Sequence, residues 1–140
     1  MRHILNLFVF LFTLSGLYAQ NSLDCSVSPP EWIQGVWLSV DDDFGNVGYE
    51  FTSDELVFYS WNERQYYSST CEMHREDFRS AGSEFCMDKF YIKESVISNS
   101  FYQVECRLCG HSENFRFERI DDFTIAEHFV EGETRYYRKQ

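Results

Sequence analysis

Pro29-Pro30-Glu31-Trp32-Ile33-Gln34-Gly35-Val36-Trp37 is the stretch that decides the reading of this chain. Paired prolines disfavour helix and bias the backbone towards extended conformations. A first β-strand is predicted behind them, over 32–40. Side chains alternate along a strand, so Ile33, Gly35 and Trp37 share one face.

Upstream, the chain reads as an export signal. Arg2 supplies the positive start, the stretch from Ile4 to Leu14 is apolar apart from Asn6 and Thr13, and Leu17-Tyr18-Ala19 offers a small residue before a cut. Cleavage is expected after Ala19. The apolar run is shorter than the roughly 20 residues of a spanning helix, which argues against an uncleaved anchor. Ser22-Leu23-Asp24 before Cys25 lacks the small residues of a lipid-attachment motif. The organisation is therefore 1–19 signal peptide, 20–31 N-terminal lead-in and 32–140 a single domain. The processed chain is expected in a secreted or periplasmic compartment, with no membrane insertion.

Downstream, strands dominate. Fourteen Phe, nine Tyr and three Trp make up much of the apolar set, and aromatic enrichment favours strands. Further strands are expected over 47–52, 55–61, 64–71, 85–93, 100–107, 114–120, 124–130 and 134–138. Turns fall at 41–46, 53–54, 62–63, 95–98, 110–112, 121–122 and 131–132. The charged segment 72–82 reads as a long loop or a short helix. About nine short strands joined by tight turns argue for an all-β, antiparallel up-and-down barrel of 8–9 strands, whose closure removes exposed edges.

The net charge is -11, and losing Arg2 with the signal makes the chain one unit more negative. Such a surface repels nucleic acid and anionic membranes.

Trp32-Ile33-Gln34-Gly35-Val36-Trp37 resembles the opening strand of lipocalin-like barrels, in the broad sense that includes small secreted bacterial members. Phe117-Glu118-Arg119-Ile120-Asp121-Asp122-Phe123-Thr124-Ile125 and Arg135-Tyr136-Tyr137-Arg138 are similar to the closing strands of such barrels. The resemblance covers the two ends and not the cysteine-bearing middle. It implies that Trp37, beside Gly35, packs at the barrel floor under Arg138 or Arg135, a guanidinium over an indole. It also implies a capacity to hold a small apolar molecule at the open end. Tyr49, Phe51, Phe58, Tyr66, Tyr91, Tyr102 and Phe117 are candidate lining residues. The alternative is a barrel filled by these rings, whose loops contact another macromolecule.

The five cysteines are Cys25, Cys71, Cys86, Cys106 and Cys109. Export favours disulfides. If 64–71, 85–93 and 100–107 are adjacent strands, Cys71, Cys86 and Cys106 meet at one end of the sheet. The preferred pairs are Cys71–Cys86 and Cys106–Cys109 with Cys25 free; Cys25–Cys109 with Cys106 free is the alternative. A second reading is zinc held by four of Cys71, His74, Cys86, Cys106, Cys109 and His111, the spacing Cys71-x-x-His74 with Cys106-x-x-Cys109 supplying two pairs. A third is free thiols or a redox pair at Cys106 and Cys109. No βαβ setting surrounds that pair, and Gly110 before His111 breaks a haem-attachment spacing.

His128 reads as an ordinary strand residue. Asp41-Asp42-Asp43 with Asn46 lacks the spacing of a calcium loop. No nucleophile elbow, phosphate loop or zinc-protease motif is present, so no catalytic residue and no cofactor is proposed and a non-enzymatic role is expected.

Overall fold

The computed structural model describes residues 24–41, 46–61, 63–82 and 89–140. The signal segment and Cys86 lie outside the described residues. Nine antiparallel strands run in chain order: β1 Gly35–Ser39, β2 Gly48–Phe51, β3 Leu56–Ser60, β4 Glu63–Tyr66, β5 Phe90–Ser98, β6 Phe101–Leu108, β7 His111–Arg119, β8 Thr124–His128 and β9 Thr134–Lys139. One helix, α1 Tyr67–Ser80, separates β4 from β5.

The strands form one sheet in the order β4-β3-β2-β1-β9-β8-β7-β6-β5. First and last strands pair, Trp37 opposite Lys139, so the sheet curls into a half-barrel. The expected closure does not occur: β4 and β5 are the two edges, and α1 packs against β3, β4, β5 and β6.

The helix corrects the strand expected over 64–71. That strand stops at Tyr66, and Tyr67, Cys71, His74 and Phe78 recur at helical spacing instead. Tyr67 and Cys71 are buried, while Phe78 and His74 lie 5.1 and 6.1 Å from the Phe90 ring, centre to centre. Tyr66 at the N-cap makes no side-chain cap. Glu55 supplies it from the β2–β3 turn, accepting from the Ser68 and Ser69 N–H groups at 2.6 and 3.0 Å. A carboxylate there also meets the positive end of the helix dipole.

Two further boundaries shift. Residues 31–33 form a turn, with the Ile33 N–H bonded to the Pro30 carbonyl, so β1 begins at Gly35. β5 runs on through the turn expected at 95–98, which falls at Asn99 and Ser100 instead.

The lead-in is part of the core. Cys25 and Val27 are buried, as is Ile33 just beyond it. Asp24 bridges to Ile92 on the β5 edge, and the Ser28 N–H donates to Glu94 at 2.8 Å. Cys25 is disulfide-bonded to Cys71, which ties this segment to α1.

Candidate functional site

Cross-strand registers place Trp37, Tyr49, Phe51, Phe58, Tyr102, Phe115, Phe117 and Tyr137 on the concave face. Tyr49 is the hub: its ring centre lies 5.0 Å from Phe117, 5.2 Å from Tyr137 and 5.3 Å from Phe58. Five of the seven candidate lining residues, Tyr49, Phe51, Phe58, Tyr102 and Phe117, therefore come together, and they pack on one another. Tyr66 and Tyr91 do not join them. Tyr66 pairs with Val57 and Tyr91 with Arg107 on the opposite face, because each sits one residue out of phase with its inward neighbours.

A carboxylate lies inside this apolar cluster. Glu127 is 2% exposed and accepts hydrogen bonds from Tyr49 at 2.8 Å and Tyr137 at 2.6 Å. Burial raises its pKa, while the Tyr137 and Tyr49 hydroxyls and Arg135 oppose the rise. Burial, with Glu127 alongside, pushes both phenols well above their ordinary value, which keeps them donors. The same pairing recurs nearby: Tyr67 donates to Glu113, and Tyr102 to Glu94. Sequence reading missed Glu127. Its signal is the position opposite Phe117, in phase with Ile125, in a strand whose inward residues are otherwise apolar.

The floor position holds a different cation from the one expected. The Lys139 ammonium lies 5.2 Å from the Trp37 ring centre. Arg138 pairs with Leu38 and so faces the other side. Arg135 lies opposite Glu127, with its guanidinium 4.8 Å from the Phe129 ring centre. Gly35 makes room for Lys139: a Cβ there would meet the lysine Cε at 2.9 Å. The Trp37 indole N–H donates to the Ile33 carbonyl at 2.6 Å.

The cysteines also differ. Cys71 bonds Cys25 rather than Cys86, because α1 turns it towards the lead-in. Cys106 is a buried free thiol rather than the partner of Cys109. It points from β6 into the core, and burial raises its pKa, leaving it un-ionised and inert. Cys109 is disulfide-bonded to a partner outside the described residues. The zinc set is thereby dismantled: Cys71 and Cys109 are oxidised, His74 stacks near Phe90, and His111 is 2.9 Å from Glu113. His128 bridges Glu118 and Thr134 at 2.8 and 3.2 Å. Of the aspartate run, Asp42 and Asp43 lie outside the described residues.

On the face opposite the aromatic core, between β2–β4 and the start of α1, an open groove of about 720 Å³ is lined by four carboxylates and one guanidinium. The carboxylates are Glu50, Asp54, Glu55 and Glu72; the cation is Arg64, whose guanidinium lies 5.0 Å from the Tyr59 ring centre. Glu50 accepts from Tyr59, whose hydroxyl is pushed up to about 12 by burial and that bond. None of the ion pairs among the described residues uses these four carboxylates. Ser68, nine-tenths buried at the groove wall, has an Oγ with no hydrogen-bond partner among the described residues. Compared with family models, curated proteins and solved structures, the chain matches none.

Proposed function

We propose that this chain is an exported, non-enzymatic binding protein whose recognition surface is the acidic groove beside α1. The carrying observation is the groove itself: four carboxylates against one guanidinium around a space of about 720 Å³, with the Ser68 hydroxyl unpartnered at its wall. Binding sites for small molecules commonly span roughly 300–1,000 Å³. The lining selects a cationic ligand with an apolar portion, because the half-exposed Tyr66 ring supplies apolar surface beside the carboxylates. Export is supported by the N-terminal signal pattern and by the Cys25–Cys71 disulfide. Among the described residues no helix is long and apolar enough to cross a membrane.

The lipocalin-like reading would place a small apolar ligand on the concave face. The rings there contact one another at 5.0–6.3 Å, and we favour the groove on that account. Calorimetric titration of the exported chain with spermidine, and separately with a fatty acid, separates the two. Spermidine binding that Glu72→Lys weakens about tenfold supports the groove, the loss being that of a close charge pair made repulsive. Fatty-acid binding that quenches Trp37 fluorescence, with no response to spermidine, would overturn it in favour of the barrel.

A further inference from the structure

We infer that the natural occupant of this groove is an extended, basic polypeptide segment that adds as an antiparallel strand to the edge of β4. The inference rests on the groove reading above and names its partner class. The two edges of the sheet are treated differently. α1 packs against both, but among the described residues only at β5 does further chain cover the edge: Asp24 bridges to Ile92, and the Ser28 N–H bonds Glu94. At β4, all four residues are exposed, and among the described residues no strand pairs with it except β3.

The register says which backbone groups face outward. Ser60 pairs with Glu63 across a two-residue connection, and the closing pair of such a hairpin exchanges both hydrogen bonds. Glu63 and Gln65 therefore spend their backbone groups on β3. The N–H and C=O of Arg64 and the N–H of Tyr66 point away from the sheet. An unpaired row of this kind is a template for strand addition.

Side-chain direction then fixes the partner's chemistry. A residue opposite Arg64 or Tyr66 shares their face, where the groove presents Glu50, Asp54, Glu55 and Glu72 against the one guanidinium of Arg64, which is drawn over the Tyr59 ring. Its alternate neighbours fall on the other face, beside the smaller hollow of about 300 Å³ lined by Phe58, Ser60, Glu63, Arg64 and Gln65. The occupant alternates Lys or Arg with small uncharged residues, such as valine, that can pack on Phe58. A second copy of this chain is disfavoured as occupant, since it would bring another acidic groove, on a chain of net charge -11, against the first.

The probe is an acetylated, amidated nonapeptide of alternating lysine and valine, titrated into the exported chain. Backbone amide exchange is followed at Arg64 and Tyr66. Binding with slowed exchange at both amides is expected. N-methylation at the lysines, whose amides face β4, should weaken binding about tenfold or more, as expected for losing backbone hydrogen bonds. N-methylation at the valines should not. Equal affinity for all three peptides, with spermidine also bound, would overturn strand addition and leave the groove reading standing. No binding of either spermidine or peptide would overturn both. Dimerisation of the free chain, shown by light scattering and accompanied by protection of Arg64 and Tyr66, would overturn the proposal by filling the edge with a second copy. Arg64→Pro removes one outward N–H without touching the β3 ladder. It should abolish peptide binding, whereas Arg64→Ala, which removes the same guanidinium but keeps that N–H, should not, with an unchanged melting transition as the check on folding.

Discussion

Tyr137 donates its hydroxyl to Glu127 at 2.6 Å across the paired strands β8 and β9, beneath the aromatic hub of the sheet. Tyr49 completes the arrangement from β2, 78 residues earlier in the chain. The carboxylate is tolerated among rings because each of its oxygens has a donor; an unmatched buried acceptor is costly. Removing one hydroxyl, in Tyr137→Phe or Tyr49→Phe, should destabilise by about 1–3 kcal/mol. Urea denaturation measures it, and the double variant should lose less than the sum, since both act on one carboxylate.

Glu127 also sets a pH dependence. Its folded pKa is raised by burial, so the unfolded chain releases this proton first. The stability tied to the neutral carboxyl is complete below the unfolded pKa and is lost as pH rises through the folded value. Glu127→Gln should therefore gain stability relative to the native protein as pH rises above the ordinary carboxylate range. A stability difference between the two proteins that does not change with pH would contradict the assignment.

The bond between Cys25 and Cys71 spans 46 residues. It joins the lead-in to α1. Replacing both by alanine should cost about 2–5 kcal/mol, as for other small domains. Cys106, buried and un-ionised, should resist alkylation in the native protein and react after denaturation, which intact mass reads directly.

Glu55 holds the start of α1 from a neighbouring turn. Glu55→Ala leaves the Ser68 and Ser69 N–H groups without that acceptor and should cost about 1–2 kcal/mol. Circular dichroism during thermal unfolding checks this, and the helix signal should fall before the strand signal does.

Gly35 has φ +126°, and its Cβ position meets the Lys139 stem. Gly35→Ala should destabilise by about 1–3 kcal/mol, through the backbone conformation alone and then through the contact. Adding Lys139→Ala removes the contact and should recover only part of the loss, since the backbone strain remains.

Much of the strand framework was legible because alternation is local. Tyr49 and Phe51, or Tyr102 and Val104, announce an inward face from spacing alone. The helix was less legible. Its stripe of Tyr67, Cys71, His74 and Phe78 is sparse, and the aromatic run Tyr66-Tyr67 reads as strand until the fourteen helical residues are seen together. The groove was not legible at all. Glu50, Glu55, Arg64 and Glu72 come from four separate elements or turns, and none is unusual in its own neighbourhood.

The sequence by itself determined that this is an antiparallel β protein with an aromatic face, because two-residue periodicity needs no knowledge of partners. Only the tertiary structure decided which residues meet. Lys139 rather than Arg138 covers Trp37 because Trp37 pairs with Lys139, and Arg138, one residue along, faces the other side. Cys71 reaches Cys25 because a helix stands where a strand was expected. The sheet stays open for the same reason: α1 occupies the seam between β4 and β5, and among the described residues no strand but β3 pairs with β4.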